Sequence, residues 1–373
     1  MIGSASDSPS KLGRLRFLSE TAAIKVSPLI LGEVSYDGAR SDFLKSMNKN
    51  RAFELLDTFY EAGGNFIDAA NNCQNEQSEE WIGEWIQSRR LRDQIVIATK
   101  FIKSDKKYKA GESNTANYCG NHKRSLHVSV RDSLRKLQTD WIDILYVHWW
   151  DYMSSIEEFM DSLHILVQQG KVLYLGVSDT PAWVVSAANY YATSYGKTPF
   201  SIYQGKWNVL NRDFERDIIP MARHFGMALA PWDVMGGGRF QSKKAMEERK
   251  KNGEGLRTFV GGPEQTELEV KISEALNKIA EEHGTESVTA IAIAYVRSKA
   301  KNVFPLVGGR KIEHLKQNIE ALSIKLTPEQ IEYLESIVTF DVGFPKSLIG
   351  DDPAVTKKLS PLTSMSARIA FDN

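Results

Sequence analysis

The chain has 373 residues, with 47 Lys and Arg against 47 Asp and Glu, so its formal charge is zero. That balance argues against a dedicated nucleic-acid binder, which carries a basic excess, and against electrostatic attachment to anionic lipid. Charged residues at 25% and eight tryptophans exclude a disordered chain and describe a globular one long enough for a large core.

Two cysteines, Cys73 and Cys119, cannot build a disulfide framework and point to a reducing compartment. The first apolar stretch, 24–31, is interrupted by Lys25, Ser27 and Pro28 and falls far short of the roughly 20 residues of a membrane helix. Residues 1–11 are rich in Ser and lack the apolar core of a signal peptide. The expectation is a soluble, cytoplasmic protein.

In chain order, short apolar runs fall at 26–32, 65–68, 94–100, 141–148, 172–178, 201–204, 227–231 and 302–307. Several lack polar alternation, as strands buried on both faces do. Longer amphipathic stretches separate them. The stretch 51–62 sets Phe53, Leu56, Phe59 and Tyr60 three and four apart before Gly63 and Gly64 stop it. Further helices are expected at 77–88, 122–137, 156–169, 181–190, 214–224, 267–283, 289–299 and 311–322. Eight strand–helix units suit a closed (β/α)8 TIM barrel of about 250 residues plus insertions. The rival, a doubly wound sheet, lacks its Gly-rich fingerprint after the first strand. One barrel domain is expected over 1–373, with a core at about 20–338 and a tail, 339–373, wrapped on the surface. Polar stretches at 101–121 and 235–263 follow strands, which puts long loops over the C-terminal mouth, where such barrels keep their sites.

Asp68, Lys100 and His148 end successive strands, and Cys73 follows Asp68 by five residues. A charge drawn inward at the end of an apolar strand is held most cheaply when paired, and such a cluster suits proton transfer. Each residue also has a plainer use. Asp68 can cap a turn, Lys100 can extend its ammonium to solvent, His148 can be a satisfied core residue, and Cys73 a small hydrophobe. The spacing of the seven histidines gives no zinc motif, so no metal is expected. Late in the chain, Gly308-Gly-Arg310-Lys311 between a strand and a helix offers backbone N–H groups and cations to an anion. Trp232, past the end of the seventh strand, is either core packing or a flat surface for an aromatic cofactor.

The segments Asn65-Phe-Ile-Asp68, Ile97-Ala-Thr-Lys100, Asp143-Ile-Leu-Tyr-Val-His148, Tyr174-Leu-Gly-Val-Ser178, Tyr203-Gln204, Pro231-Trp232 and Val307-Gly-Gly-Arg-Lys311 occur in this order over about residues 20–338. In them the chain resembles the aldo-keto reductases. Glu76-Gln-Ser-Glu-Glu-Trp-Ile-Gly-Glu-Trp85, His148-Trp-Trp-Asp151 and Tyr203-Gln-Gly-Lys-Trp-Asn208 make it similar to their fungal aryl-alcohol dehydrogenase group. The resemblance implies a barrel that uses NADPH or NADP+ without a Rossmann fold, and an Asp, Tyr, Lys, His tetrad whose tyrosine protonates the carbonyl oxygen. Asp68, Lys100 and His148 stand at the family's positions, and the tyrosine position falls on Cys73, followed by Gln74. A thiol is a possible acid on proton affinity, but it is shorter than a phenol and a weak donor.

The resemblance also implies Ser178, Asp179 and Gln204 near the nicotinamide carboxamide, Asp179 replacing the usual asparagine. It implies Trp232 stacked on the ring, and Arg239 as a pyrophosphate contact. Gly308, Arg310, Lys311, His314, Gln317 and Asn318 then cover the adenosine end and its 2′-phosphate. Tyr36, Trp149, Trp150 and Trp207 are expected to line the substrate opening and to favour flat apolar molecules. The implied activity interconverts aromatic aldehydes, veratraldehyde- or anisaldehyde-like, and aryl alcohols. The alternatives are a catalytically weak NADPH-binding protein and a ketone reductase of fungal secondary metabolism.

Overall fold

The computed structural model describes residues 10–32, 48–71, 77–101, 116–251, 264–309 and 311–365, with Ser8, Leu256, Gly262 and Ala370. Eight parallel strands form one sheet: β3 (Ile30–Gly32), β4 (Phe66–Asp68), β5 (Val96–Phe101), β6 (Ile142–Val147), β7 (Val172–Ser178), β8 (Phe200–Lys206), β9 (Ala228–Trp232) and β10 (Leu306–Val307). Each pairs with the next in sequence, and β10 returns to β3. A parallel bridge between Leu229 and Val303, just before β10, draws the two ends of the sheet together. This is the expected α/β barrel.

Helices α1 (Lys49–Glu61), α2 (Gln77–Arg89), α3 (Lys123–Leu137), α4 (Ile156–Gln168), α5 (Ala182–Ser194) and α6 (Ile218–His224) alternate with the strands. Helices α7 (Lys243–Lys251), α8 (Glu267–Glu282) and α9 (Val288–Lys299) lie between β9 and β10, and α10 (Ile312–Glu320) and α11 (Pro328–Ser336) follow. Their starts are written locally. Ser155 accepts from the Glu158 N–H at α4, while Thr266 with Glu269 and Thr327 with Gln330 form capping boxes at α8 and α11.

Two apolar clusters show how the side chains are sorted. One fills the barrel interior and includes Ile30, Phe66, Val96, Ala98, Ile144, Tyr146, Ile202, Ala228, Ala230 and Phe304. The other lies between strands and helices and takes the alternate strand positions, such as Leu31, Ile67, Ile97, Leu145, Val147, Val177 and Leu229. Two-residue alternation therefore sets which side chain of every strand faces the axis. Gly176 on β7 is required by this interior, because a Cβ there would lie 2.5 Å from the Tyr146 ring.

Three details differ from the sequence expectations. The run 26–32 is not one strand. Its start belongs to an antiparallel hairpin, β1 (Arg16–Ser19) with β2 (Ala22–Val26), whose Leu18, Ala22 and Val26 join the interior cluster. Pro28, which has no N–H to give a ladder, separates the hairpin from β3. The helix expected at 214–224 is a 3-10 turn, Asp213–Glu215, and then α6, which begins late enough that Pro220 sits in its first turn. Two helices, α7 and α11, went unread. The tail after Ile337 lies on the surface in short turns, held where Arg216 donates to the Asp341 carbonyl at 2.7 Å and Lys346 to that of Glu215 at 3.0 Å.

Candidate active site at the C-terminal mouth

Continuing each interior register to the end of its strand gives the floor of the mouth. Phe66 leads to Asp68, Ala98 to Lys100, Tyr146 to His148, Gly176 to Ser178, Ile202 to Gln204 and Ala230 to Trp232. Residues far apart in sequence meet because their strands are neighbours in the ring.

Asp68 and Lys100 are 2% and 6% exposed and form an ion pair through Oδ2 and Nζ. Lys100 also donates to the Ala69 carbonyl at 2.8 Å, and Gln204 Nε2 approaches Asp68 Oδ2 at 3.4 Å. The plainer use of Lys100, an ammonium extended to solvent, is thereby set aside. A buried pair of this kind stabilises little against apolar replacements, while losing one partner strands the other charge. The ammonium lies 5.6 Å from the centre of the Tyr146 ring, and burial, then the Asp68 charge, push that phenol well above its ordinary value. His148 is half-buried, with the Trp149 ring centred 4.5 Å from its own.

Beside this pair stands Asp179, with φ of 43° in the left-handed region. The conformation is fixed from both sides. Its N–H donates to the Gln204 carbonyl at 3.0 Å, and the Tyr203 hydroxyl donates to the Thr180 carbonyl at 2.8 Å while accepting from the Thr180 N–H at 3.2 Å. The two carboxyl oxygens accept separately, from Trp232 Nε1 at 3.1 Å and from Ser178 Oγ at 3.2 Å. Burial raises this carboxyl to about 6 against the opposing pull of those donors and of Lys100.

A second group of expected residues lies along β9, β10 and α10. Arg239, 2% exposed, pairs through Nε with Glu269 at 3.3 Å and donates to the Gly262 carbonyl. Its Nη1 is buried without a hydrogen-bond partner among the described residues. Lys311 stands at the N-cap position of α10 without a side-chain capping bond, His314 and Gln317 are exposed, and Asn318 is buried, donating to the Gly308 carbonyl at 3.2 Å. A Cβ on Gly309 would lie 2.8 Å from that of His314, so the turn runs tight against the helix.

The aromatic residues separate. Trp149 sits beside His148 and is partly exposed. Trp150 turns back onto Phe159 of α4, with ring centres 5.4 Å apart. Trp207 is fully buried and stacked on Phe214 at 5.4 Å, so it is part of the wall and not of the opening, contrary to expectation. Tyr36, Cys73 and Arg310 lie outside the described residues. No group of three or more potential metal ligands occurs among the described residues, and no described helix is long and apolar enough to cross a membrane.

Sequence reasoning missed a buried layer behind the pair. Glu79 of α2 meets Lys136 of α3 at 2.7 Å, and Glu79 accepts from the Thr99 hydroxyl at 2.7 Å. Lys136 also reaches the Asn71 carbonyl at 3.5 Å, and the Asn71 N–H donates to the Lys100 carbonyl at 3.1 Å. The layer thus fastens the ends of β4 and β5 from the helix side. Tyr146 was missed too, although its place two residues before His148 on one strand was a usable signal.

A barrel whose mouth holds a buried lysine–aspartate pair, a histidine and an inward tryptophan defines a (β/α)8 protein with its polar site at the strand ends. The model of the "Aldo/keto reductase family" matches residues 28–339, and the chain belongs to that family of oxidoreductases. A putative aryl-alcohol dehydrogenase of Saccharomyces cerevisiae is 93% identical over 349 residues, covering 94% of this chain and 96% of that protein. A second from the same organism is 88% identical over 365 residues, covering 98% and 97%. An NADP(+) aryl-alcohol dehydrogenase of Phanerodontia chrysosporium is 53% identical over 355 residues, covering 93% and 91%.

Proposed function

We propose that this protein is a cytoplasmic NADPH-dependent oxidoreductase that interconverts aromatic aldehydes and aryl alcohols. The observation that carries this reading is the buried Lys100–Asp68 pair opening beside Gln204 and Asp179, whose carboxyl is tied to Trp232. The names of the relatives support it, one of them printed as an NADP(+) enzyme.

The residues present fit a dinucleotide. Arg239 keeps a buried N–H unused among the described residues, and the tight Gly308–Gly309 turn brings Lys311 and the first N–H groups of α10 to one place. There Lys311, with Arg310, His314, Gln317 and Asn318, would hold the 2′-phosphate and adenosine, the cations through charge-assisted contacts. Trp232 would carry the nicotinamide ring, and Ser178, Asp179 and Gln204 its carboxamide. Bound NADPH supplies the hydride that reduces the carbonyl carbon.

The chain's own residues then handle the oxygen. Lys100, held by Asp68, stabilises the negative charge that grows on the carbonyl oxygen. His148 holds that oxygen by a hydrogen bond, and Cys73, at the family's donor position, gives the proton. The Trp149 ring beside His148 offers a flat apolar face to an aromatic substrate. Loss of NADPH absorbance on adding veratraldehyde tests this. The expected result is aldehyde-dependent oxidation that Lys100→Met abolishes while NADPH still binds. Tight NADPH binding without any oxidation by an aldehyde panel would favour a binding protein instead.

A further inference from the structure

Asp179 supports an inference that rests on the reading above and reaches past it. Its carboxyl cannot turn away, because the backbone is held at both Asp179 and Thr180 and each oxygen accepts a hydrogen bond. A nicotinamide ring carried by Trp232 would lie beside this carboxyl, which accepts from the indole N–H. Among the described residues, the other ionisable groups around it are few. From β5 comes the Lys100 ammonium, already tied to Asp68 of β4, and from β6, the strand next to β7, comes His148. From β8 come the Tyr203 phenol and Lys206, whose ammonium turns to Asp233 at 3.6 Å. From β9 comes the uncharged Trp232 indole.

The oxidised nicotinamide ring is a cation and the reduced ring is neutral. An ionised carboxylate attracts the cation. A protonated carboxyl gives up that attraction and gains an O–H donor for the carboxamide oxygen, which a carboxylate lacks. We propose that Asp179 makes the choice between NADP+ and NADPH depend on pH, its carboxylate favouring the oxidised cofactor and its protonated form the reduced one. Burial already lifts the group to about 6, so the change falls between pH 5 and 8.

The test is titration of NADP+ and NADPH into the full-length protein and Asp179→Asn, read by tryptophan fluorescence across that range. Both cofactors carry the same 2′-phosphate and adenosine, so the ionisation of that end cancels in the ratio of the two Kd values. In the wild type, Kd for NADP+ relative to Kd for NADPH should fall about tenfold from pH 5 to pH 8. That equals a carboxyl titrating about one pH unit lower with NADP+ bound than with NADPH. In Asp179→Asn the ratio should be flat. A flat wild-type ratio, or the same slope in the variant, overturns the proposal.

Failure of both cofactors to bind overturns it together with the reading it rests on, and a second readout separates the two. The 19F resonance of 5-fluorotryptophan at position 232, assigned with Trp232→Phe, should titrate near pH 6 in the free protein and not in Asp179→Asn. If that titration survives while cofactors do not bind, the error lies in the cofactor. If it is absent, the error lies in Asp179.

Discussion

Replacing Asp179 by Asn should stabilise the free protein at neutral and alkaline pH and not in acid. The folded carboxyl sits at about 6, against 3.8 for an unburied one. Between those values the folded protein keeps a proton that the unfolded chain has released. The stability due to this group is therefore fully present below about 3.8 and is lost as pH rises through about 6. Because Asp179 is exposed at the mouth, solvent screening cuts the linkage value of about 1.36 kcal/mol per pH unit, and the ionised carboxylate costs about 1 kcal/mol at pH 8. Asn is isosteric, never ionises and can still accept from Trp232, so it removes the cost. For 373 residues, an unfolding entropy of about 2.1 cal/mol/K per residue converts this into a Tm gain of about 1 °C. Scanning calorimetry of both proteins near pH 8 and near pH 4 measures it, with most of the gain gone in acid. A gain no larger at pH 8 than at pH 4, or a variant less stable at pH 8, would refute the reasoning.

Three further outcomes are expected. Cys73→Tyr should raise kcat for veratraldehyde by at least about tenfold, within the range for a positioned acid, with NADPH affinity nearly unchanged; an equal or lower kcat in folded protein would reject the account in which the thiol is a weak stand-in for a missing phenol donor. Lys136→Met should cost about 3–5 kcal/mol in urea unfolding, because it leaves the Glu79 carboxylate buried at 0% exposure, and the double variant with Glu79→Gln should recover much of it. A loss below about 1 kcal/mol would show that the pair is not holding the strand ends. Lys311→Ala should reduce the preference for NADPH over NADH by about tenfold or more, since a contact to a charged group contributes about 1.5–3 kcal/mol, and equal Kd values in the wild type would remove the basis for this expectation.

What could be read in the sequence follows from the range over which each signal acts. Strand ends were legible because alternation is local: once Ile144 and Tyr146 face inward, so does His148. Asp68 and Lys100 were read from the same strand-end position, whereas Gln204 was named only through the family resemblance. The hairpin was not legible as such, because β2 and β3 are nearly continuous in hydrophobicity and only Ser27-Pro28 divides them. Helix α11 carried its signature, Thr327-Pro-Glu-Gln330, and went unread beside the strand–helix rhythm that ends at α10. The Glu79–Lys136 pair could not be read, since an acid in the first turn of α2 and a lysine in the last turn of α3, 57 residues apart, look like ordinary helix-end charges. Trp207 was misjudged for a related reason. An aromatic residue just past a strand end suits an opening and a wall equally, and only the stacking on Phe214 decides between them. Asp179 was recognisable as an acid where an amide is usual, whereas its tie to Trp232, fifty-three residues later, required the fold.

The central claim is that Lys100, Asp68 and the residues around them support transfer of hydride from NADPH to an aromatic aldehyde. The most direct measurement uses NADPH carrying two deuterons at nicotinamide C4 with veratraldehyde, followed by deuterium NMR of the recovered alcohol. The account predicts one deuterium at the benzylic carbon with the wild-type protein and none with Lys100→Met that still binds NADPH. Veratryl alcohol without benzylic deuterium, no alcohol at all from a protein that binds NADPH, or the same labelled product from Lys100→Met would contradict it.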